Sequence, residues 1–410
     1  MRPALIAVVV GLWAATTHAQ TAGPISQRGF VEGRAVGFPQ DAPNDTTNQI
    51  GDVMVREEVF VRAAPWMRLA AGIDLRLNSH DQVEDEWRVD FSDRSVRRPR
   101  VAIRRLTATL TARALTLDLG KQFIRWGHAD ILNPTDRFAP RDFLNVIDSD
   151  FLPVLGAHPS LQLGSETVEG VWVPRLTPSR IPLSTQRWTV MPPDAAAVAI
   201  HDNGVLIPGR SEWGVRWRHS GARIEGSVSY FDGFNHLPDI DVRSVPLGVE
   251  LTRVFPALRT YGGDVSIPTS AFTLKGETAY FASPSAETEE YVLYVVEIER
   301  QTGEWVLTGG YAGELVTSPR TSFRFAADRD MAKSIIGRAS YTVGPRRTIS
   351  IESAVRQSGD GFYVKGEFSE AVGQYWRLTF TGVGVAGHDD DFLGQFHRNS
   401  HGSVTLRVSF

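Results

Sequence analysis

Residues 66 to 77 read WMRLAAGIDLRL, and apolar and charged side chains alternate along this stretch. Successive side chains of a β-strand point to opposite faces, so this spacing gives the strand one apolar face and one charged face. A strand of this kind is typical of a wall between lipid and water. The apolar face carries Leu69, Ala71, Ile73, Leu75 and Leu77, and the charged face carries Arg68, Asp74 and Arg76.

The same alternation recurs in segments of about ten residues along the rest of the chain, as expected for a transmembrane barrel. We therefore predict an all-β fold, a transmembrane antiparallel β-barrel of about 18 strands. The segments at 158–164 and 167–173 are weak, so 16 strands stay possible. The predicted strands are 29–38, 53–63, 66–77, 101–112, 114–124, 158–164, 167–173, 211–219, 222–231, 257–268, 271–281, 290–300, 304–315, 333–343, 347–357, 362–369, 375–385 and 401–410.

The connections between these segments are alternately short and long. Short turns such as Ala64-Pro65 and Thr269-Ser270 are expected on the periplasmic side. Long connections are expected outside the cell, which is the usual asymmetry of outer-membrane barrels. The long connections are 78–100, 125–157, 174–210 and 232–256, of which the last is ambiguous between loop and strand.

The first 19 residues have the features of a cleaved secretory signal. Met1-Arg2 gives a positive end, 4–15 is an uncharged apolar run, and Thr17-His18-Ala19 places small residues at the cleavage site. The run is too short for a membrane-spanning helix. We expect 1–19 to be removed and 20–410 to form one barrel domain in a bacterial outer membrane, surrounded by its lipid and lipopolysaccharide.

Composition excludes several classes of function. The 410 residues contain no cysteine, which rules out a disulfide scaffold, a cysteine-ligated metal site and a thiol nucleophile. Lys and Arg number 43 against 47 Asp and Glu, so the net charge of −4 gives no basic excess for binding nucleic acid. The mean hydropathy of −0.16 is what a wall with one apolar and one wet face would average to. No cofactor is indicated.

The chain end is the sharpest local signal. Residues 403 to 410 read SVTLRVSF and alternate without a break up to the terminal Phe410. Here the chain resembles bacterial outer-membrane barrels, whose last strand ends in an aromatic residue. That resemblance implies recognition of Phe410 by the barrel-assembly machinery. Aromatic residues near other strand ends are expected to form girdles at the membrane surfaces: Trp66, Trp126, Trp213, Tyr230, Tyr280, Tyr311 and Phe362.

The connection 125–157 is the most distinctive loop. It begins after Gly120-Lys121-Gln122 with Arg125-Trp126-Gly127, and it is apolar and rich in proline. This stretch resembles a porin element in which a loop packs into the lumen. We therefore predict a constriction, with a structured cap outside the barrel as the alternative. Lys121 breaks the alternation, which indicates a bulge or an interfacial position. The predicted constriction residues are Asp130, Asp136, Arg137, Arg141 and Asp142.

The charged faces of the strands are expected to line a water-filled lumen, since a barrel of about 18 strands is wide enough for an aqueous channel. Basic and acidic groups are nearly balanced there, with a slight basic excess. The resemblance to porin-like and alginate-export-like barrels implies passive diffusion or export of small hydrophilic solutes. The basic lumen residues that we single out are Arg68, Arg76, Arg216, Arg218, Arg338 and Arg377.

Two other classes stay open as alternatives. A lipid-modifying enzyme of the outer membrane would need a Ser/His pair at the lipid-facing rim, and the chain has no nucleophile elbow or phosphate-binding loop. His and Asp neighbours such as His201-Asp202 are interpreted as solvated loop charge, not as catalytic or metal sites. A soluble exported propeller or sandwich is the second alternative. We expect no enzymatic activity. The sequence leaves the oligomeric state open.

Overall fold

The computed structural model describes residues 23–189, 199–246, 248–286, 288–321, 325–326, 329 and 331–410. The predicted signal at 1–19 lies outside the described residues. The chain forms a closed antiparallel barrel of 18 strands. The strands are β1 Ile25–Gly37, β2 Gln49–Ala64, β3 Met67–Asn78, β4 Val101–Ala112, β5 Leu115–Gln122, β6 Val154–Leu163, β7 Glu166–Val173, β8 Glu212–Ser220, β9 Glu225–Phe234, β10 Ala257–Pro268, β11 Thr273–Ala282, β12 Glu290–Thr302, β13 Trp305–Ser318, β14 Ser334–Val343, β15 Arg347–Arg356, β16 Gly361–Val372, β17 Trp376–Gly387 and β18 His401–Ser409.

Each strand pairs with its neighbours in the sequence, and the last strand pairs with the first. The β1–β18 ladder runs from Phe30 beside Ser409 to Gly37 beside Gly402. Closure pairs the first strand with the last, so neither presents a free edge, which is what a wall in lipid requires. Every predicted segment overlaps one observed strand, so the count of 18 is confirmed. The alternatives of 16 strands and of a soluble propeller or sandwich are wrong.

The two faces of the wall follow the alternation seen in the sequence. On β3 the apolar side chains of Leu69 and Ile73 point outward and are exposed, while Asp74 points inward and is buried among arginines. An apolar face that stays exposed in the isolated chain is suited to lipid. Trp126, which we expected in a girdle, lies inside the barrel against Phe138.

Short turns join the strands at one end, and several depend on glycine. Gly303 and Gly373 adopt φ of 56° and 67°, a conformation that other residues avoid. One turn contains a short 3₁₀ helix, Gly344–Arg346, and a second 3₁₀ helix, Gly394–Asn399, lies in the last long connection. Among the described residues no helix is long and apolar enough to cross a membrane.

The opposite end carries the long connections. The ambiguous region 232–256 contains two strands, Asp239–Val245 and Gly248–Val254, that join Ile200–Leu206 and Phe325–Ala326 in a small separate sheet. The connection after β5, residues 123–153, is here called the third loop. It contains a two-stranded ladder of Arg141–Asp142 with Asp150–Phe151.

The seam between β1 and β18 gives a direct test of closure. A Cβ atom added to Gly29 would lie 2.6 Å from the ring of Phe410 and 2.7 Å from the carbonyl oxygen of Arg56. We expect Gly29→Leu to cost about 1–3 kcal/mol through overpacking. The folded fraction in a heat-modifiability gel and the unfolding temperature should both fall. Gly33→Leu is the matched control, because a Cβ at Gly33 meets nothing within 4 Å. Equal behaviour of the two variants would contradict this account of the seam.

Candidate functional site

The third loop lies inside the barrel and reaches the wall opposite its own strands. It leaves from β5 and returns to β6, yet its polar contacts are with β11, β12, β16 and β1. Backbone N–H groups that the loop buries need hydrogen-bond partners. The structure supplies these partners from carboxylates.

Glu277 of β11 is the main acceptor for the loop. Its carboxylate accepts hydrogen bonds from the backbone N–H of His128 at 2.8 Å, of Ala129 at 3.0 Å and of Thr135 at 2.9 Å. The hydroxyl of Thr135 donates a fourth bond at 2.8 Å. Glu277 is almost fully buried. One wall carboxylate thus anchors two separate turns of the loop.

Glu297 of β12 repeats this arrangement one strand further. It accepts the backbone N–H of Asp130 at 2.9 Å and of Ile131 at 3.2 Å. Lys275 of β11, in register with Glu297, donates to Asp130 at 2.5 Å and to Glu299 at 2.7 Å. The positive charge of the ammonium group offsets the repulsion among the carboxylates of Asp130, Glu297 and Glu299.

Asp148 fastens the far end of the loop to a different part of the wall. It accepts from Lys365 of β16 at 2.6 Å and from Arg34 of β1 at 2.7 Å. Burial by itself would raise the pKa of Asp148, but the two cations lower it to about 2. The carboxylate is therefore charged at any physiological pH, and the loop spans the lumen.

Two of the predicted constriction residues hold the loop in place, and Asp136 also borders the cavity described below. Asp136 accepts the backbone N–H of Trp126 and of Gly127, both at 2.6 Å. Asp142 is bound by Arg98 in a bidentate pair and by Arg180 at 3.1 Å. Burial acts to raise the pKa of Asp142, but these arginines hold it well below the usual value.

The other three predicted residues border open volume. Asp130 is partly exposed beside Lys275. Arg137 and Arg141 line a cavity of about 130 Å³ on the loop, next to Phe281 and Tyr291. The guanidinium of Arg137 stacks on Phe281 with 4.8 Å to the ring centroid, and its buried Nε has no hydrogen-bond partner.

Apolar contacts fix the loop as firmly as the polar ones do. Trp126 and Phe138 stack edge to face with ring centroids 5.2 Å apart, and Phe138 meets Phe231 of β9 at 5.1 Å. Further along, Ile131 and Ile147 pack against a buried cluster formed by other connections and by β14 to β17. These contacts pack the loop against the wall at β9 and at β14 to β17.

The six basic wall residues that we predicted all point inward, and they differ in their partners. Arg216 binds Glu169 at 2.7 Å and the carbonyl oxygen of Trp126 at 2.8 Å, so it also supports the loop. Arg68 has no ion-pair partner within the described part of the chain. Of the other four, Arg76 contacts Asp74, Arg218 contacts Glu225, Arg338 contacts Glu352 and Arg377 contacts Ser369.

The charges of the wall are sorted by side, which the sequence did not reveal. The strands β16 to β18 and β1 to β4 carry eleven inward basic residues against five carboxylates, whereas β5 to β15 carry five against ten. The lumen therefore has a positive side and a negative side, with the third loop between them. The basic residues of the positive side are Arg28, Arg34, Arg56, Arg62, Arg68, Arg76, Arg104, Arg105, Lys365, Arg377 and Arg407.

Sequence reasoning missed several residues that shape the site. Glu297 follows the alternation of β12 and could have been found by its inward position. Asp148, Arg98 and Arg180 lie in connections, where no periodic pattern marks a residue as buried. Within the described ranges no group of three or more His, Cys, Asp or Glu residues is arranged to hold a metal ion.

Glu277→Ala should release the third loop from β11. Three backbone N–H groups lose a charged acceptor, each worth about 1.5–3 kcal/mol. We expect hydrogen exchange in residues 123–140 to become at least about tenfold faster while the strands stay protected. Glu225→Ala is the matched control, since Glu225 is an inward wall carboxylate that contacts Arg218 instead of the loop. Unchanged exchange in Glu277→Ala would show that apolar packing alone holds the loop.

Asp148→Asn tests the second anchor through its pH dependence. A carboxylate with a lowered pKa stabilises the folded state above the unfolded value of about 3.9, and this contribution is lost as pH falls towards about 2. The difference in unfolding temperature between the protein and Asp148→Asn should be constant from pH 5 to 8 and shrink below about pH 4. Asp81→Asn, at an exposed loop position, should show no such trend. A difference that does not change with pH would argue against the ion pairs.

Comparisons with known proteins add the fold relationship. No protein-family model matches the chain, and no curated protein matches it in sequence. The structure is similar to the BenF-like porin from Pseudomonas fluorescens Pf-5, with a TM-score of 0.54, 11% identity, and 94% of this chain and 98% of that chain covered.

Two structures from Pseudomonas aeruginosa give the same picture. OpdQ has a TM-score of 0.53 and 12% identity, and the outer membrane protein OpdK has 0.53 and 10%. Both comparisons cover 94% of this chain and 98% of the other. Likeness at such low identity concerns the fold, and the chain therefore has the fold of these outer-membrane porins.

Proposed function

We propose that the protein is an outer-membrane channel through which small hydrophilic solutes diffuse passively, without enzymatic activity of its own. The observation that carries this proposal is the third loop, which crosses the lumen and is anchored at three points, by Glu277 and Glu297 on one side of the wall and by its own Asp148 on the other. A loop that only capped the barrel from outside would not contact carboxylates on the lumen wall. The loop is the proposed constriction, and the lumen wall gives the path on either side of it.

The charge distribution suggests the preferred solute class. The positive side of the lumen has an excess of six basic groups, and Arg137 of the loop has a guanidinium Nε without a partner. A cation in a partly desolvated site attracts anions more strongly than one in bulk water. We infer a preference for small anions, with Arg137 as the residue that meets them at the constriction.

The membrane surroundings follow from the same proposal. The outward apolar face is suited to outer-membrane lipid and lipopolysaccharide. Phe410 exchanges two backbone hydrogen bonds of 3.0 Å with Gly29 at the seam, and its side chain is partly exposed. A C-terminal aromatic residue in this position is accessible before closure, which supports its role as the signal for the barrel-assembly machinery.

Planar-bilayer recording of the refolded protein tests the channel itself. We expect discrete conductance steps. In a salt gradient, we expect a reversal potential whose sign shows that anions permeate more easily than cations. If protein that is shown to be folded by its heat-modifiable migration in gels gave no conductance steps, the channel proposal would be overturned.

Arg137→Gln tests the constriction. Removing its charge should move the reversal potential towards cation preference, because the cavity would lose one positive charge while carboxylates such as Asp136 and Glu289 remain beside it. Arg346→Gln, in a periplasmic turn outside the lumen, is the charge-matched control and should leave the potential unchanged. Equal shifts in both variants would place the selectivity elsewhere.

A further inference from the structure

The second long connection, residues 79–100, contains a segment that joins the barrel wall. Val89 and Asp90 pair in parallel with Val101 and Ala102 at the upper end of β4. The antiparallel ladder between β4 and β5 ends with Leu106 beside Lys121, so the two strands separate above this pair. The segment lies at this gap, next to β4.

Register shows which way the segment faces. Val89 lies beside Val101, and Val101 lies beside Leu75, whose position belongs to the outward apolar face of β3. Side chains in register on neighbouring strands share a face, so Val89 points outward. Trp87 and Phe91 share its parity and are also exposed. The exposed fractions are 61% for Trp87, 60% for Val89 and 39% for Phe91, whereas Asp90 and Asp93 are buried.

This pattern is the reverse of that of a loop in water. A water-facing segment exposes its charges and buries its large apolar side chains, whereas here Asp90 and Asp93 are buried and Trp87, Val89 and Phe91 are exposed. Arg88, on the opposite parity, is exposed as well and pairs with Glu84 and Glu86. The outward face of barrel strands has this same reversed pattern. The exposed row is continuous with the wall residues Leu106 and Leu155, which are exposed on the same face.

Lys121 gives an independent reason to place this surface in lipid. It lies in register with Leu106 and Leu155, so its position is on the outward face of β5. Its side chain is nevertheless only 2% exposed. The ammonium binds Asp93 at 2.6 Å and lies 5.4 Å from the ring centroid of Phe91. A lysine facing water needs no such cover, whereas an uncompensated charge in hydrocarbon is costly.

The height of the segment agrees with this placement. From Leu110, beside Met67, to Val101, beside Leu75, β4 advances nine residues. For a strand tilted by about 45° this is about 22 Å along the membrane normal, within an apolar band of about 25 Å. Trp87 would then lie near the outer interface, with the guanidinium of Arg100 at 5.0 Å from its ring. Tryptophan is favoured at that depth.

We propose that residues 87–91 are a membrane-contacting part of the barrel wall, with Trp87, Val89 and Phe91 packed against the acyl chains of the outer leaflet. The connection 79–100 is therefore not wholly extracellular. Asp93 and Phe91 cover and neutralise the one wall lysine that would otherwise point into lipid. This inference depends on the barrel being in a membrane, not on its conducting solutes.

The absence of cysteine from the chain makes a spin-label experiment direct. Val89→Cys and Trp87→Cys are labelled with a nitroxide, reconstituted in phospholipid vesicles, and probed with oxygen and with a water-soluble nickel complex. We expect oxygen to collide more often than nickel at both positions. Asp85→Cys, whose side chain is 89% exposed, is the control in water and should show the opposite ratio.

Leu69→Cys, on the outward face of β3, is the control in lipid. If the labels at 89 and 87 collide mainly with nickel while the label at 69 collides mainly with oxygen, the segment faces water although the barrel is in the membrane. That result would overturn the proposal. Labels at 89 and 87 shielded from both reagents would also overturn it, because they would show a protein surface, such as a second copy, covering the segment. A label at 69 accessible to nickel would instead contradict the membrane location itself.

Discussion

The ladder between β1 and β18 is the contact on which the rest of the structure depends. Eight residue pairs, from Phe30 with Ser409 to Gly37 with Gly402, turn an open sheet into a closed wall. An open edge would leave a row of N–H and C=O groups without partners in hydrocarbon, at a cost of several kcal/mol for each group. Closure also creates the lumen, and without a lumen the third loop would have no opposite wall to bind. The small clearance at Gly29, beside Phe410, is part of this seam.

The third loop solves the same problem of backbone partners on the inner side of the wall. It has little regular secondary structure, so most of its N–H groups cannot pair within the loop. Glu277, Glu297 and Asp136 provide charged acceptors for seven of these bonds. Charge-assisted bonds of this kind are stronger than neutral ones. Glu277 and Glu297 thus belong to the negative side of the lumen wall. Among the described residues Arg137 and Arg68 have no ion-pair partner, which leaves their charges to act on a passing solute.

The outer surface near β4 and β5 shows how the wall treats a residue that breaks the alternation. Lys121 follows Gly120, which has φ of 116°, and its position is on the lipid side. The structure pairs its ammonium with the buried Asp93, which also binds Arg180. It places Phe91 and Asp93 of a connecting segment over the ammonium, which is then both paired and excluded from hydrocarbon. Neither ladder of β5 shifts register at Lys121, so the bulge that we expected there is absent, and the segment at 87–91 covers the lysine instead.

The sequence by itself indicated about 18 strands, with 16 left open, their order and the face to which the regular wall residues point. These properties depend on a period of two that any strand of alternating polarity must obey, as residues 66–77 illustrate. It also indicated that the third loop is unusual. Only the tertiary structure decided how the loop charges are bound: Asp136 and Asp142 accept bonds from groups within the connections, whereas the Nε of Arg137 has no hydrogen-bond partner among the described residues. It also decided that basic and acidic wall residues collect on opposite sides, since strands far apart in the chain become neighbours across a lumen only after closure. Periodicity acts along one strand, whereas ion pairing and burial depend on distances between strands and loops that are set when the barrel closes.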